Sequence, residues 1–177
     1  MKKAFHNVTI ETMQGDIANQ PDIDAVVNAA NAWLKPGGGV AGAIHRGAGP
    51  ELERECRQYA PIEPGEAVIT KGYNLPNNYV IHCLGPVYGQ DKPEAELLAA
   101  CYRNALKRAE EKKITSVAFP AISAGAFGYP VHDACRIALK TVAGMTSSLT
   151  SIRLIRFVLY STSDLEVFER ELKILEQ

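Results

Sequence analysis

Three consecutive glycines, Gly37 to Gly39, most constrain what this chain can fold into. They follow a short apolar run at residues 25–28, which predicts a strand, and precede a small-residue segment at 40–46 that predicts a helix. Consecutive glycines lose backbone entropy on folding and contribute no packing, so a stable domain keeps them where a ligand approaches the backbone. Free N–H groups beside a helix start favour a phosphate. The alternative is a mobile surface turn.

The bulk composition predicts one globular domain over residues 1–177, with 46% apolar and 22% charged residues. The formal net charge is −1, and no basic block marks a face for duplex nucleic acid, which is therefore excluded as a partner. The scattered cysteines, without a C-x-x-C pair, are typical of reduced thiols in a cytoplasmic protein. No apolar stretch resembles a signal peptide or membrane span, so we expect no membrane association.

Predicted strands and helices alternate along most of the chain. The expected strands lie at 8–12, 25–28, 67–70, 79–84, 116–120 and 152–160, and the expected helices at 40–46, 50–55, 93–112, 130–142 and 163–175. We expect the first strand to bury one face, and Ser163 to Glu166 to form a capping box for the last helix. This order predicts an α/β three-layer α-β-α sandwich with a mixed central sheet.

Two glycine loops, Gly37 to Gly42 and Gly125 to Gly128, each follow a predicted buried strand and precede a helix. Ligands bind beyond the carboxyl ends of strands in such sheets, so two converging loops indicate a ligand with two phosphates. The first loop also satisfies G-x-G-x-x-G. A dinucleotide site of that type is disfavoured, because residues 28–36 separate the loop from its strand and Glu63, about 20 residues on, lies in a predicted loop.

Three polar residues near the predicted loops are candidate ligand contacts. The amides of Asn28 and Asn31 offer donors and an acceptor that suit ribose hydroxyls, or they cap the local turn. We expect Asn28 to be partly structural and Asn31 to face the ligand. Asp16 follows a glycine turn, where its carboxylate either accepts a hydrogen bond from the amine of a base or caps a short helix.

Two aromatic residues near predicted strand ends are also candidates. Phe127 and Tyr160 could stack on a base or sugar, or they pack in the core, which is the favoured interpretation for Tyr160. His82 and Cys83 are adjacent in a strand, so they point to opposite faces and form no catalytic dyad. The remaining histidines lack metal-ligand spacing. We therefore expect chemistry without a metal or cofactor.

Four motifs in this order and spacing resemble the macro domain family over nearly the whole chain. They are Gly15-Asp-Ile17, Val27-Asn-Ala-Ala-Asn31, Gly37-Gly-Gly-Val-Ala-Gly-Ala-Ile44 and Ile122-Ser-Ala-Gly-Ala-Phe-Gly128. The resemblance implies a mixed sheet between helices, with ADP-ribose in a cleft along the sheet edge. It also implies ADP-ribosylated proteins as partners.

The resemblance assigns expected roles to residues of this sequence. Asp16 would bind the adenine amino group, with Ile17 and Tyr160 beside the base, and Asn31 would hold the distal ribose hydroxyls. Phe127 would shield that ribose, and Asn31, Gly38 and Phe127 would take part in catalysis. The expected binding set is Asp16, Ile17, Asn28, Asn31, Gly37, Gly38, Gly39, Val40, Ala41, Ser123, Ala124, Gly125, Ala126, Phe127 and Tyr160.

The resemblance also frames the expected activity. Many macro domains hydrolyse mono-ADP-ribose from acidic side chains or deacylate O-acetyl-ADP-ribose, whereas others only bind. The efficient deacetylase subgroup usually has Asp where this chain has Ala41, and coronaviral members often have His where it has Pro36. We therefore expect a hydrolase that depends on substrate positioning. The alternatives are a non-catalytic reader of ADP-ribose and an ADP-ribose-1″-phosphate phosphatase.

Overall fold

A computed structural model describes residues 1–176 and contains seven strands, five α-helices and a 3₁₀ turn at Thr146–Ser148. The strands are β1 (Lys2–Phe5), β2 (Val8–Gln14), β3 (Ala25–Ala29), β4 (Ala67–Lys71), β5 (Tyr79–Cys83), β6 (Ser116–Phe119) and β7 (Leu154–Leu159). The helices are α1 (Gly39–Ala48), α2 (Pro50–Cys56), α3 (Glu94–Glu111), α4 (Val131–Met145) and α5 (Thr162–Ile174).

The strands form one mixed sheet in the order β1-β2-β7-β6-β3-β5-β4. The five inner strands are parallel, and β1 and β4 are antiparallel edges. Helices α3, α4 and α5 pack on one face, where a large core cluster includes Tyr102, Phe119, Phe157 and Phe168. Helices α1 and α2 pack on the other face over a smaller cluster. The predicted three-layer sandwich with a mixed sheet is confirmed.

Three details of the predicted elements were wrong. Strand β1 carries Lys2 and Lys3, and it was missed because a short, charged edge strand has no apolar pattern. Strand β2 is covered on both faces, since Glu11 on the expected open face is buried against Arg156 at 2.7 Å. Helix α5 is capped by Ser161, whose hydroxyl accepts the Asp164 N–H at 3.1 Å, so the cap lies two residues before Ser163.

A buried polar chain crosses three neighbouring strands beneath α2. The Asn28 amide donates to Nδ1 of His82 at 3.1 Å, so Nδ1 must be unprotonated. The opposite nitrogen, Nε2, then carries the proton and donates to the Thr70 hydroxyl at 2.9 Å. Burial, with His45 nearby, lowers the pKa of His82 to about 3. The fold therefore requires a neutral imidazole here.

This requirement predicts acid sensitivity. The pKa of His82 is lower in the folded chain than its unfolded value of about 6.5, so its stabilising contribution is complete above pH 6.5 and decreases as the pH falls toward 3. We expect this residue to lower the free energy of unfolding by about 2–3 kcal/mol between pH 7.5 and 4.5, measured by urea denaturation.

A folded His82→Gln variant, which keeps a neutral hydrogen-bonding side chain, should show a shallower loss of stability over the same pH range. Equal pH dependence of the two proteins would contradict the assignment, because the remaining carboxylates and histidines would then account for all of it.

Candidate functional site

The sheet reverses its winding direction between β3 and β6. From β3 the chain proceeds to β4 and then β5 on one side, and from β6 it proceeds to β7 on the other. The two strands pair only at Ala25↔Val117 and Val26↔Ala118, so their carboxyl ends diverge. Ligand crevices in open α/β sheets occur outside the carboxyl ends of strands at such a point. Both predicted glycine loops leave the sheet here.

The first loop leads into the N-terminus of α1, and no side chain covers this N-terminus at Gly38 or Gly39. Gly38 caps α1 in an extended conformation, and Gly39 has a φ of 54°, which glycine adopts without strain. A Cβ on either residue would meet no atom within 4 Å, so the loop faces open space. Within residues 1–176, the N–H groups of Gly37 to Ala41 donate to no protein group. They are available to an anion.

Gly42 allows this loop to fold back against α1. A Cβ at Gly42 would lie 2.4 Å from the carbonyl oxygen of Gly37, a distance that real Cβ atoms do not reach. The glycine one turn into the helix is therefore needed for a close backbone approach, whereas Gly38 and Gly39 leave space in front of the loop. The three predicted contacts Gly37, Val40 and Ala41 lie at the same helix start.

Asn31 closes the turn that leads into the loop. Its amide nitrogen donates to the Lys35 carbonyl at 2.8 Å, and its amide oxygen accepts the Lys35 N–H at 3.0 Å. A Cβ on Gly37 would lie 3.5 Å from this nitrogen, so the amide is next to the glycines. The turn-capping alternative is therefore realised. One amide hydrogen and further lone pairs remain, and contact with a ligand stays a prediction.

Asn28 is buried, whereas Asn31 is partly exposed. The Asn28 side chain is wholly buried beneath the sheet edge, where it donates to His82. These contacts agree with the expected structural role, and a contact between this side chain and a ligand stays a prediction. The sequence could not separate the two asparagines because both follow the same apolar run.

The second loop, residues 120–129, is pinned by residues that follow β5. The Ser123 hydroxyl donates to the Pro86 carbonyl at 2.8 Å, and the Tyr88 N–H donates to the Phe127 carbonyl at 2.8 Å. Ser123 has a φ of 66°, a strained conformation that these bonds hold in place. Among the described residues, the N–H groups of Gly125 to Phe127 have no protein acceptor. They form a second set of available donors.

Gly85 allows the second loop to approach the end of β5, and the sequence analysis missed it. A Cβ at this position would lie 2.1 Å from the Ser123 hydroxyl and 2.7 Å from the Ile122 side chain. The second loop therefore reaches its position only because residue 85 has no side chain. The available signal was a glycine directly after the predicted strand 79–84, but the contact with residues 122 and 123 is entirely tertiary.

The two aromatic candidates have different surroundings. Phe127 is half-buried and packs against the smaller core cluster, next to the second loop's free N–H groups. Tyr160 is 92% exposed, so the favoured prediction of core packing was wrong. Tyr160 lies between the last residue of β7, Leu159, and the first residue of α5, Thr162, so neither element buries its ring. Its exposure leaves the ring available for stacking.

Asp16 and Ile17 lie beyond β2, at the other end of the same sheet edge. One carboxylate oxygen of Asp16 accepts the Ala18 N–H at 2.9 Å, while the other has no partner within residues 1–176. The carboxylate thus caps a turn rather than the short helix considered above, and one oxygen stays available. Ile17 is buried at 5% exposure in the smaller core cluster. The Gly15 N–H bonds Leu159 at 3.0 Å, which places Tyr160 beside this turn.

The first turn of α1 carries no acidic residue. Ala41, at the third position of α1, contributes only a buried methyl group. One turn later, burial lowers the pKa of His45, although Glu53 opposes the shift. Cys56, 3.7 Å from His82, has its thiol pKa raised to about 12, mainly by burial. Both groups are therefore neutral at pH 7.

His82 and Cys83 point to opposite sheet faces, as expected, since Cys83 packs in the larger core cluster. Across residues 1–176 no cluster of three histidine, cysteine or acidic residues could hold a metal ion. None of the helices in that range has the length and apolar character needed to cross a bilayer.

Comparisons with known proteins agree on one family. The family profile described as Macro domain matches residues 27–138. A macro domain-containing protein of Chlorobaculum tepidum is 49% identical over 167 residues, 94% of this chain and 96% of that protein. The structure of an Oceanobacillus iheyensis macrodomain with ADP has a TM-score of 0.93 and 41% identity, covering 98% of this chain and 94% of that one. A Trypanosoma brucei macrodomain in complex with ADP-ribose has a TM-score of 0.85 and 37% identity, covering 92% of this chain and 68% of that one.

The contact between Gly85 and the second loop predicts a sharp difference between two glycines. Gly85→Ala should lower the free energy of unfolding by about 1–3 kcal/mol, because the added methyl overlaps Ser123 and Ile122. The matched control is Gly125→Ala, where a Cβ meets nothing within 4 Å, and its effect should stay within about 0.5 kcal/mol. Chemical denaturation measures both. Equal effects would show that the loop adapts freely.

Proposed function

The chain belongs to the macro domain family, and we propose that its cleft binds ADP-ribose and hydrolyses mono-ADP-ribose from acidic side chains of proteins. Deacetylation of O-acetyl-ADP-ribose is a second reaction that the same cleft would accommodate. The family membership and the ligands of the related structures support the binding part of this proposal. The hydrolytic part depends on the chemistry of the cleft.

The observation that carries the proposal is the pair of free backbone donor sets on either side of the β3–β6 crevice. Gly37 to Ala41 present N–H groups at the start of α1, and Gly125 to Phe127 present theirs from the opposite loop. A diphosphate between them would accept hydrogen bonds from both and lie at the positive end of the α1 dipole. This explains how a chain of net charge −1 would hold a dianionic ligand.

The remaining ends of ADP-ribose fit the order of loops along the sheet edge. From β2 to β3 there are three strand spacings, or about 14 Å, which suits an extended nucleotide with the adenine at one end. The free oxygen of Asp16 would accept a hydrogen bond from the adenine amino group. Tyr160 would cover the base, and Ile17 would form the apolar floor. The distal ribose would then lie by Asn31 and Phe127.

The proposed hydrolysis needs no acid from the protein. The bond that breaks joins the anomeric carbon of the distal ribose to a carboxylate oxygen, and a carboxylate of pKa about 4 leaves without protonation. A water molecule attacks that carbon, and its proton passes to a diphosphate oxygen and then to solvent. Asn31 would orient the ribose hydroxyls, while Gly38 and Phe127 would press the sugar toward the diphosphate. Ser123 and Ala124 would position the second loop.

One observation favours the reader alternative. The helix position nearest the free N–H groups of the first loop carries the methyl group of Ala41 instead of a carboxylate. If a protein base is essential, the cleft would bind ADP-ribose and release nothing. Binding and turnover must therefore be measured separately.

If Asp16 binds the adenine amino group, an Asp16→Asn variant should lose affinity for ADP-ribose. Asparagine keeps the oxygen that accepts the Ala18 N–H but replaces the free oxygen with an NH₂ group, which faces the adenine amine as a second donor. The Kd for ADP-ribose should rise roughly tenfold to a hundredfold, because a charged hydrogen bond of about 1.5–3 kcal/mol is lost. Calorimetry measures this, with Asp133→Asn on exposed α4 as the control. A comparable change in both variants would exclude Asp16 from adenine recognition.

The hydrolase is tested with a protein mono-ADP-ribosylated on glutamate. We expect the native chain to release ADP-ribose, and Asn31→Ala to release it at least roughly tenfold more slowly, because ribose orientation is lost. Release is followed by chromatography, and the exposed Asn7→Ala variant serves as the control. Calorimetry with free ADP-ribose shows whether Asn31→Ala still binds.

An Ala41→Asp variant separates the two candidate functions. If the substrate's own phosphate is the base, an added carboxylate leaves turnover unchanged or weakens binding by repelling the diphosphate. If the native chain binds ADP-ribose without releasing it, and Ala41→Asp gains release, the native protein is a reader and our proposal of hydrolysis is wrong.

A further inference from the structure

We propose that Trp33 and the side chain of Lys35 form a docking surface, here called the Trp33 platform, for an acidic polypeptide that carries the ADP-ribose. This inference rests on the proposed function, because it assigns the protein part of the substrate to a surface at the distal end of the same cleft. The side chains of Trp33 and Lys35 are not among the proposed ADP-ribose contacts.

The turn holds Trp33 outward in a fixed position. Trp33 is 61% exposed, while the next residue, Leu34, is buried at 1% and has a φ of 55°, a conformation that a leucine rarely adopts. The Leu34 N–H bonds the Asn31 carbonyl at 3.1 Å, and the two Asn31–Lys35 bonds close the turn around it. The large apolar side chain is therefore exposed by a rigid structure and not by disorder.

The platform lies at the end of the cleft away from Asp16. The Ile62 N–H bonds the Ala32 carbonyl at 2.9 Å, which attaches the turn to the segment that enters β4. That segment lies at the carboxyl end of β5, since the Gly65 N–H bonds the Leu84 carbonyl at 2.8 Å. Along the sheet edge, Trp33 is thus on the β3–β5–β4 side, and Asp16 and Tyr160 are on the β2–β7 side. A chain attached to the distal ribose would leave the cleft near Trp33.

The charges around the turn favour an acidic partner. Lys35 and Arg46 are exposed, and neither forms an ion pair in the described part of the chain. The Arg46 guanidinium lies close to Gly42, directly behind the glycine loop. Glu63 and Glu66 are exposed acids in the attached segment, so the positive charge that a partner would meet beside the tryptophan is that of Lys35, two residues away in the same turn. Acidic residues beside a modified glutamate or aspartate would complement the Lys35 ammonium group, which is unpaired within residues 1–176, and the Arg46 guanidinium behind the loop.

The platform provides its own reporter, because Trp33 is the only tryptophan in the chain. We would titrate the protein with free ADP-ribose, with an acidic peptide carrying ADP-ribose on a hydrolysis-resistant amide linkage, and with a modified peptide of neutral sequence. Tryptophan emission and calorimetry would be recorded in parallel. The expected result is a blue shift of the emission only with the modified peptides, and the tightest Kd for the acidic one.

Variants then locate the gain in affinity. Trp33→Ala should weaken binding of the modified acidic peptide by roughly fivefold to tenfold, a typical cost for an exposed aromatic anchor at an interface, while the Kd for free ADP-ribose stays unchanged. Lys35→Glu should remove the preference for the acidic over the neutral peptide. The matched controls are Ile174→Ala, an exposed apolar residue on α5, and Lys140→Glu on α4.

Several outcomes would overturn the platform. An equal loss for free ADP-ribose and peptide in Trp33→Ala would place the tryptophan in the nucleotide site. A modified peptide that binds no tighter than ADP-ribose would show that the surface takes no part. Self-association that Trp33→Ala abolishes, in sedimentation experiments, would assign the surface to a second copy. Absence of any ADP-ribose binding would instead refute the proposed function itself, which calorimetry on the native chain reveals first.

Discussion

The divergence of β3 and β6 is the constraint on which the rest of the site depends. These neighbouring parallel strands share only two paired positions before they separate, because their connections run to opposite sides of the sheet. The carboxyl ends of β3 and β6 therefore keep a sheet neighbour only on their outer sides, β5 and β7 respectively. The two glycine loops leave the sheet at this gap, and the N–H groups of the first loop are unbonded in the described chain because they lie at the start of α1, where a helix supplies no acceptor.

The site is built mainly from backbone, and glycines act in it in two distinct ways. Gly38 and Gly39 leave space in front of the loop. Gly42 allows two backbone segments to touch, and Gly85 allows the side chains of Ile122 and Ser123 to lie against the backbone. A methyl group would be tolerated sterically at Gly38, but it would collide with the first loop at Gly42 and with the second at Gly85. This division explains how a weakly acidic chain can offer an anion site without a cluster of cationic side chains.

The polar side chains around the cleft also maintain the fold. Asn31 closes its own turn and Asp16 caps another. The buried Asn28 amide donates to His82 and so favours the neutral imidazole. Asn31 and Asp16 nevertheless retain unused hydrogen-bonding capacity that faces away from these local bonds. The same Asn31 turn that shapes the glycine loop also exposes Trp33, so a substrate's nucleotide and polypeptide parts would be read by one rigid segment.

The sequence alone determined the element order, the layered α/β fold, the two glycine loops and the family resemblance, because periodicity and glycine spacing are local properties. Tertiary structure decided the rest. It buried Asn28, which the sequence pattern could not distinguish from Asn31. It also exposed Tyr160, because an apolar run does not show at which residue the helices stop covering the sheet. It also revealed β1 and the role of Gly85, since neither a charged edge strand nor the contact of Gly85 with the Ile122 side chain, 37 residues along the chain, leaves a local trace. Each depends on which segments become neighbours in the folded chain.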